Sequence, residues 1–354
     1  MTRIVAAAPA LPAHRYEQQV ITDAFAGVVL PDGGDRRLLN SLHEATSVRH
    51  RHLALPLEQY AGLDGFGAAN DVFIRVGTEL GEQAIRTALD AVQLDPVDVD
   101  IVMTTSVTGV AAPSLDARLV PRLGLRPDVR RIPMFGLGCV AGAAGLARLH
   151  DLLLGDPDAV AVLLSVELCS LTLQRDDAST ANLVASGLFG DGAGAVVLLG
   201  EQRAAALGLA GPQVVATRSR FYPDTERVMG WDIGGSGFRI VLSASVADVV
   251  EENLGHDMTT FLGDNDLKVD DVVTWLAHPG GPKVLNAMIR TLGLPAGALD
   301  RTWRSLADVG NLSSASVLHV LAAAMAEPPP PPGSPGVLLA MGPGFCSELV
   351  LVRW

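Results

Sequence analysis

The sequence predicts an α/β protein in which two similar α/β layers pack against each other. Of its residues 49% are hydrophobic and only 5% are aromatic, so Ala, Val, Leu and Ile must build the core. Such a composition favours buried parallel strands flanked by aliphatic helices. Strand-like and helix-like segments alternate in both halves of the 354 residues. Each half also places a reactive side chain directly after a strand and beside a helix, Cys139 in the first and His278 in the second.

The first half has a mixed segment up to about Val99 and a regular pattern after it. Its N-terminal residues are interpreted as an opening strand and not as a secretory signal, because Pro9 and Pro12 interrupt the apolar run. Further along, the pattern predicts helices over 70–94 and 140–154, and strands over 100–106, 131–135, 159–166 and 194–199.

The second half repeats this order of elements. We expect helices over 246–262, 283–292 and 313–326, and strands over 272–277, 336–341 and 347–352. The halves share no obvious sequence identity, so the duplication is inferred from element order alone.

Composition excludes several classes of function. A net charge of −13 argues against nucleic acid or an anionic membrane as partner. No apolar run approaches the ~18 residues that span a bilayer. Three cysteines, an odd number, argue against a disulfide framework and favour a reducing compartment, so we expect a cytoplasmic protein. Zinc-type Cys and His spacings are missing, and we expect no metal.

The segment Gly136-Leu-Gly-Cys139-Val-Ala-Gly-Ala-Ala-Gly145 predicts a tight turn from a strand into a helix, with Cys139 at the helix N-terminus. Unpaired N–H groups and the helix dipole favour an anion there. On its own this effect lowers the pKa of a thiol from about 8.5 to about 7.5. A nearby imidazolium would have to lower the pKa further before the thiolate dominates at neutral pH. A nucleophile and a buried structural cysteine are both consistent with this segment alone.

An imidazole and an amide occupy comparable positions in the second half. His278 ends a strand and precedes the turn Pro279-Gly-Gly-Pro282, which is sterically open to a ligand. Asn311 lies where a helix begins, so it is either a helix cap or a hydrogen-bond donor to an oxyanion. A structural role remains open for each residue alone. Together they supply a thiol, an imidazole and an amide, all at strand–helix junctions.

These residues fall in five ordered motifs through which the chain resembles the type III polyketide synthases, the chalcone synthase-like family. The motifs are Phe135-Gly-Leu-Gly-Cys139-Val-Ala-Gly, Leu188-Phe-Gly-Asp-Gly192, Ala277-His-Pro-Gly-Gly-Pro282, Gly310-Asn-Leu-Ser-Ser314 and Met341-Gly-Pro-Gly344. Segments such as Glu167-Leu-Cys-Ser-Leu-Thr172 are similar to those of bacterial alkylpyrone-forming members.

The resemblance implies a thiolase-like fold with two duplicated halves, 1–211 and 212–354, in a layered α-β-α-β-α arrangement. It implies a homodimer that needs no cofactor and takes acyl-CoA and malonyl-CoA as substrates. Decarboxylation of malonyl-CoA would generate an enolate that attacks the acyl group on the cysteine.

Site residues are carried over by position. Cys139 corresponds to the nucleophile, and His278 and Asn311 to the groups that stabilise the thioester oxyanion and the enolate. Substrate-binding positions implied by the resemblance are Phe189, Cys169, Thr172, Ala112, Ile240, Ser313, Gly342 and Gly344. The positions at which plant members use basic residues to bind CoA are apolar or uncharged here, namely Leu39, Leu42 and Thr46. Arg49, Arg51 and Lys283 are therefore the candidates for CoA binding.

Small side chains at Ala112, Cys169 and Ile240 suggest room for a linear aliphatic starter of medium to long chain, and hence an alkylpyrone product. The alternative reading is that they belong to the core of an aromatic-poor protein. Two other functions use the same three side chains: a carrier-protein-dependent β-ketoacyl synthase and, in a different class, a Cys/His/Asn thioester hydrolase. A catalytically inactive homologue is the remaining reading.

Overall fold

A computed structural model describes residues 1–30, 34–175 and 177–354, and within them most of the sheet structure is one nine-stranded mixed sheet. The strands are β1 Thr2–Ala10, β2 His14–Glu17, β3 His50–Leu53, β4 Ile101–Ser106, β5 Arg130–Phe135, β6 Val160–Leu168, β7 Asp191–Leu199, β8 Gln213–Phe221, β9 Met229–Gly234, β10 Gly237–Leu242, β11 Thr274–Ala277, β12 Pro335–Gly342 and β13 Cys346–Arg353.

The helices alternate with these strands along the chain. They are α1 Gln18–Val29, α2 Arg36–Glu44, α3 Leu57–Tyr60, α4 Gly65–Asp90, α5 Leu115–Leu123, α6 Ala141–Gly155, α7 Thr180–Leu188, α8 Glu201–Leu207, α9 Val246–Gly263, α10 Pro282–Leu292, α11 Asp300–Val309 and α12 Ser316–Ala326. Among the described residues, none of these helices combines the length and the apolar character needed to cross a membrane.

The large sheet consists of two parts that meet at a narrow junction. Its strand order is β11-β12-β13-β8-β1-β7-β6-β4-β5. Strands β1 and β8 pair only through Thr2 with Val214 and Arg3 with Gln213. Strands β1 and β4 to β7 therefore form a first-half part, and β8 with β11 to β13 forms a second-half part.

Three hydrophobic cores separate the layers. One lies between the first-half strands and helices α1, α4 and α5, and it contains Val162 and Leu164 of β6. A second surrounds α6 and α12 and takes Leu163 of β6 together with Leu338 of β12, so it is shared by both parts of the sheet. The third joins the second-half strands to α9, α10 and α11. Because successive strand residues face opposite sides, this alternation gives five layers, α-β-α-β-α, and confirms the predicted fold class.

The predicted elements differ from the structure mainly at their ends. The helix expected over 313–326 is divided: Ser313–Ala315 forms a 3-10 turn, and α12 begins at Ser316. Ser313 has a φ of 48°, in the left-handed region that an α-helix of L-residues cannot contain. The sequence patterns gave no indication of several further elements, namely the helices α1, α2, α3, α5, α7, α8 and α11, the strands β2, β3 and β8, and the β9–β10 hairpin.

Candidate active site

Cys139 lies in a turn that joins β5 to α6. Gly136 (φ 97°) and Gly138 (φ 54°) take left-handed backbone conformations that favour glycine. Gly138–Val140 then form one 3-10 turn before α6 begins at Ala141. The predicted strand–turn–helix setting of Cys139 is thus present, and the thiol is 6% exposed.

A turn from the second half packs directly onto this nucleophile turn. A Cβ added to Gly138 would lie 2.6 Å from Cδ of Pro343, and one added to Gly342 would lie 2.8 Å from the backbone nitrogen of Val140. Gly342 and Gly344, predicted to bind substrate, are next to the cavity-lining residues Met341 and Phe345, and their contact with substrate stays a prediction.

Cys139, His278, Asn311 and Phe189 line one cavity of about 550 Å³, which we call the catalytic cavity. Most of its other lining residues are apolar, and they come from α2, α7, α9, α10 and the strands β9, β10 and β12. The cavity opens where Thr180, Ala244 and Lys283 are exposed. The three candidate catalytic side chains therefore share a space that a thioester can enter from the surface.

His278 is positioned by a hydrogen bond of its backbone, and its imidazole ring makes none within the described chain. Its N–H donates to the carbonyl of Leu339 (2.8 Å), which continues the pairing of β11 with β12. Both ring nitrogens are buried and lack a hydrogen-bond partner among the described residues. Burial lowers the pKa of His278 to about 3, so the ring is neutral at pH 7. A neutral imidazole offers one donor and one acceptor to a ligand in the cavity.

Burial also decides the protonation of Cys139. Desolvation raises the pKa of its thiol to about 12, although a hydrogen bond to Ser313 opposes the shift (Sγ to Oγ, 3.6 Å). The helix dipole was expected to lower this pKa, and a neighbouring imidazolium to assist. The opposite direction results because desolvation outweighs a dipole effect of ~1 kcal/mol and because His278 is neutral.

Asn311 connects the second half to the segment between α7 and β7 that carries Phe189. Its N–H donates to the carbonyl of Leu188 (2.9 Å), and its own carbonyl accepts from Gly190 (3.0 Å). Its side-chain Oδ1 accepts from the N–H of Ser313 (2.8 Å). The amide nitrogen Nδ2 takes part in no hydrogen bond within the described chain and is available to the cavity. Asn311 thus has a local structural contact with the start of the 3-10 turn, and its amide N–H groups remain free to act as donors in the cavity.

A buried carboxylate lies close to the candidate nucleophile. Glu167 is 0% exposed and accepts hydrogen bonds from Ser314, Thr108 (2.9 Å) and the N–H of Val107 (3.1 Å). Burial raises the pKa of Glu167 to about 7 despite these donors. Its charge also contributes to the raised pKa of Cys139. Neither Glu167 nor Ser314 was predicted to have a role, and the one available signal was a carboxylate near the end of an otherwise apolar strand.

Several predicted substrate-binding residues lie beyond Phe189 in a separate small pocket of about 20 Å³. We call it the inner pocket, and it is lined by Cys169, Thr172, Phe189 and Ile240 together with Arg51 and Trp231. Cys169 and Ile240 thus do share a pocket, but the larger side chains of Trp231 and Arg51 also line it, and its volume is too small for an alkyl chain. Ala112 is exposed in the loop between β4 and α5, outside both cavities.

The three candidates for CoA binding have different environments. Lys283, at the start of α10, lines the opening of the catalytic cavity and is exposed. Arg49 is exposed and pairs with Asp308 (3.1 Å). Arg51 is 1% exposed and donates to the carbonyl of Phe189 (2.7 Å), so the expectation that it binds CoA phosphates is wrong. The basic stretch 49–52 has the composition of a surface segment. Side chains alternate between the two faces of β3, however, and Arg51 lies on the buried face.

Comparison with known proteins gives consistent matches over the whole chain. Residues 1–202 match the family model for the N-terminal domain of chalcone and stilbene synthases, and residues 213–354 match the model for the C-terminal domain. A 1,3,6,8-tetrahydroxynaphthalene synthase of Streptomyces peucetius subsp. caesius is 59% identical over 353 residues, covering 100% of this chain and 93% of that protein. A putative chalcone synthase of Bacillus subtilis (strain 168) is 34% identical, covering 100% and 99%.

Solved structures agree with these matches. The crystal structure of 1,3,6,8-tetrahydroxynaphthalene synthase from Streptomyces coelicolor A3(2), described as a bacterial type III polyketide synthase, superposes with a TM-score of 0.93. It is 30% identical in sequence and covers 99% of each chain.

Proposed function

This chain belongs to the chalcone and stilbene synthase family of type III polyketide synthases, and we propose that it builds an aromatic polyketide, 1,3,6,8-tetrahydroxynaphthalene, from malonyl-CoA alone. Members of this family are acyltransferases that condense CoA thioesters with malonyl-CoA and use no cofactor. The observation that carries the choice of product is the 59% identity to a tetrahydroxynaphthalene synthase along the full chain.

Acylation of Cys139 is the first step of the proposed mechanism. The thiol is neutral before substrate arrives, so its proton must leave as sulfur attacks the thioester carbonyl. The unpartnered ring nitrogens of His278 supply an acceptor for that proton. CoA leaves as a thiolate and takes up a proton, and the acyl group remains on sulfur.

Chain extension follows in the same cavity. Loss of CO2 from malonyl-CoA places an electron pair in a thioester enolate, so no base has to remove a carbon-bound proton. The enolate oxygen accepts hydrogen bonds from Nδ2 of Asn311 and from His278, each worth roughly 2.7–4 kcal/mol in comparable sites. The enolate carbon attacks the acyl carbonyl, and the sulfur of Cys139 leaves. A cavity walled by apolar side chains strengthens these interactions because it excludes water.

An aliphatic starter with an alkylpyrone product is the second candidate. The apolar walls of the catalytic cavity favour it, since each buried methylene contributes ~0.8 kcal/mol. The inner pocket of about 20 Å³ counts against it, because the space predicted for the alkyl chain lies there. On this candidate, kcat/KM for dodecanoyl-CoA must exceed that for hexanoyl-CoA.

Mass spectrometry of products decides between the candidates. The chain is incubated with malonyl-CoA alone and with hexanoyl-CoA or dodecanoyl-CoA plus malonyl-CoA. CO2 release and a naphthalene product from malonyl-CoA alone support the first candidate, and acyl-dependent pyrones alone support the second. Free acid without CO2 would indicate a thioester hydrolase, and activity restricted to malonyl-carrier protein a β-ketoacyl synthase.

Three further expectations belong to this proposal. Lys283 is proposed to bind a CoA phosphate at the cavity opening. A homodimer is proposed from the resemblance and from large exposed apolar side chains near Ala112 and along the edge strand β5, such as Val110 and Phe135. The cytoplasmic location stays a prediction.

A further inference from the structure

Arg51 is a buried cation with one unused donor. Its Nε donates to Oε1 of Gln18 (3.0 Å) and its Nη1 to the carbonyl of Phe189 (2.7 Å). Its Nη2 is buried and has no hydrogen-bond partner among the described residues. Buried guanidinium groups are ordinarily paired, because an unpaired charge is costly in a medium of low polarity.

The neighbours of Arg51 do not supply that partner. Within the described parts of the chain, no carboxylate lies within salt-bridge distance of it. Asp191, which is also buried, is bonded instead to the N–H and hydroxyl of Ser170 and to the N–H of Ala54. The aromatic ring of Phe25 covers one face of the guanidinium, with 5.9 Å between Cζ and the ring centroid. Burial lowers the pKa of Arg51 to about 10, so it remains charged at pH 7.

The unused donor belongs to a side chain that lines the inner pocket. That pocket also contains Cys169, Thr172 and Phe189, and Phe189 lines the catalytic cavity on its other side. A volume of about 20 Å³ admits one oxygen-sized group and excludes a ring. Phe189 is the residue common to both linings, so a chain attached to Cys139 has its bulk in the catalytic cavity, and only an oxygen-sized group of it would fit beyond Phe189.

We propose that Nη2 of Arg51 binds one oxyanion of the growing polyketide and thereby fixes how the chain folds before its ring closes. This inference rests on the proposed function, since it assumes a β-polyketone on the enzyme. Two oxygens have the required chemistry: the terminal carboxylate of a chain started from malonyl-CoA, and the enolate of a 1,3-diketone. A fixed cation in a site of low polarity stabilises either one.

The test measures how products partition, using the full chain and three variants. Arg51→Met removes the cation, Arg51→Lys keeps the charge, and Gln18→Met removes the Nε partner while leaving Nη2 in place. Each protein receives malonyl-CoA alone or hexanoyl-CoA plus malonyl-CoA. The readout is the ratio of carbocyclic aromatic product to the sum of lactone and open-chain acid. Each product is expressed per CO2 released, so that a slower variant can be compared with the unmodified chain.

We expect Arg51→Met to lower this ratio at least tenfold, Arg51→Lys to restore part of it, and Gln18→Met to stay within twofold of the unmodified chain. A fall confined to the malonyl-only reaction identifies the carboxylate as the ligand, and a fall in both reactions identifies the enolate. If Arg51→Met does not fold, Arg51→Lys replaces it, with an expected fall of about threefold.

Equal ratios in Arg51→Met and the unmodified chain would overturn the inference. Equal falls in Arg51→Met and Gln18→Met would also overturn it, because Arg51 would then act only as a support for Phe189. Failure of the unmodified chain to release CO2 from malonyl-CoA in either reaction would instead overturn the proposed function.

Discussion

The thiol of Cys139 lies 3.6 Å from the hydroxyl of Ser313, a residue that the other half of the chain supplies. This hydrogen bond and a weaker one to the backbone of Cys139 itself favour the thiolate, against burial and against the charge of Glu167. The candidate nucleophile is thus a neutral thiol that shares its cavity with a neutral imidazole.

Alkylation of Cys139 by iodoacetamide should therefore become about tenfold faster for each pH unit between pH 7 and 9, without a plateau. The thiolate fraction grows in this way at any pH well below a pKa of about 12. Peptide mass spectrometry follows the modified residue, and glutathione, whose thiol has no such burial, serves as the reference. A rate already level at pH 7 would mean a preformed thiolate–imidazolium pair.

Ser313→Gly should slow this alkylation at every pH below the pKa. The change removes the hydroxyl that lowers the pKa of Cys139, and glycine accepts the left-handed φ of 48° without strain. An unchanged or faster rate would contradict the role assigned to the hydrogen bond.

Asn311→Asp should reduce decarboxylation of malonyl-CoA by 10²–10³-fold, which corresponds to one lost oxyanion donor. The substitution keeps an oxygen to accept from the N–H of Ser313 but removes the amide N–H groups. CO2 release gives the rate, and intact-protein mass spectrometry shows whether Cys139 is still acylated. Normal CO2 release from the variant would exclude Asn311 as the donor.

Lys283→Ala should raise KM for a CoA thioester several-fold, up to about tenfold, with little change in kcat. A phosphate contact far from the reacting atoms stabilises ground state and transition state equally. Arg290→Ala is the matched control, because Arg290 lies on the same helix and pairs with Glu251 instead. If both variants have the same KM, the phosphate does not contact Lys283.

Gly142→Ala should destabilise the fold by about 1–3 kcal/mol, the range for overpacking. Its added Cβ would lie 2.3 Å from the carbonyl oxygen of Ser314 and 2.8 Å from Cγ1 of Val317, where α6 crosses the start of α12. Gly155→Ala, at the end of the same helix, meets nothing within 4 Å and serves as the control. Urea unfolding compares the two variants. Equal midpoints would show that the neighbouring residues move aside for the added methyl group at no cost in stability.

Glu167→Gln should flatten the dependence of stability on pH. Burial raises the pKa of Glu167 from 4.5 to about 7 in the folded state. Its contribution is therefore complete below pH 4.5 and is lost as pH rises through 7. Relative to the variant, the unmodified chain should lose up to roughly 3 kcal/mol of unfolding free energy between pH 5 and 8. Parallel curves in denaturant titrations would contradict a buried, titrating carboxylate.

Much of the fold could be predicted because apolar periodicity reports burial directly. Continuous aliphatic runs such as 159–166 became fully buried strands. Cys139 and His278 each follow a strand end as predicted, whereas Asn311 reaches the same cavity from the end of helix α11. The β9–β10 hairpin escaped prediction because its residues are largely exposed or half-buried and interrupted by glycines, so no clear period marks it.

What could not be predicted depends on contacts between distant segments. Arg51 has the local sequence of a surface residue, and only the packing of β3 against α1 and the Phe189 segment buries it. The predicted lowering of the Cys139 pKa was wrong for the same reason, because desolvation is a property of the assembled site. The small side chains at 169 and 240 likewise did not predict a large pocket volume, because other segments contribute the bulkier Trp231 and Arg51 to the same lining.

The packing of Pro343 on Gly138 has a consequence for synthesis on the ribosome. Residue 139 emerges long before residues 278, 311 and 343, which complete its surroundings. A nascent polypeptide therefore carries its thiol without proton acceptor, amide or backing turn until translation is almost finished.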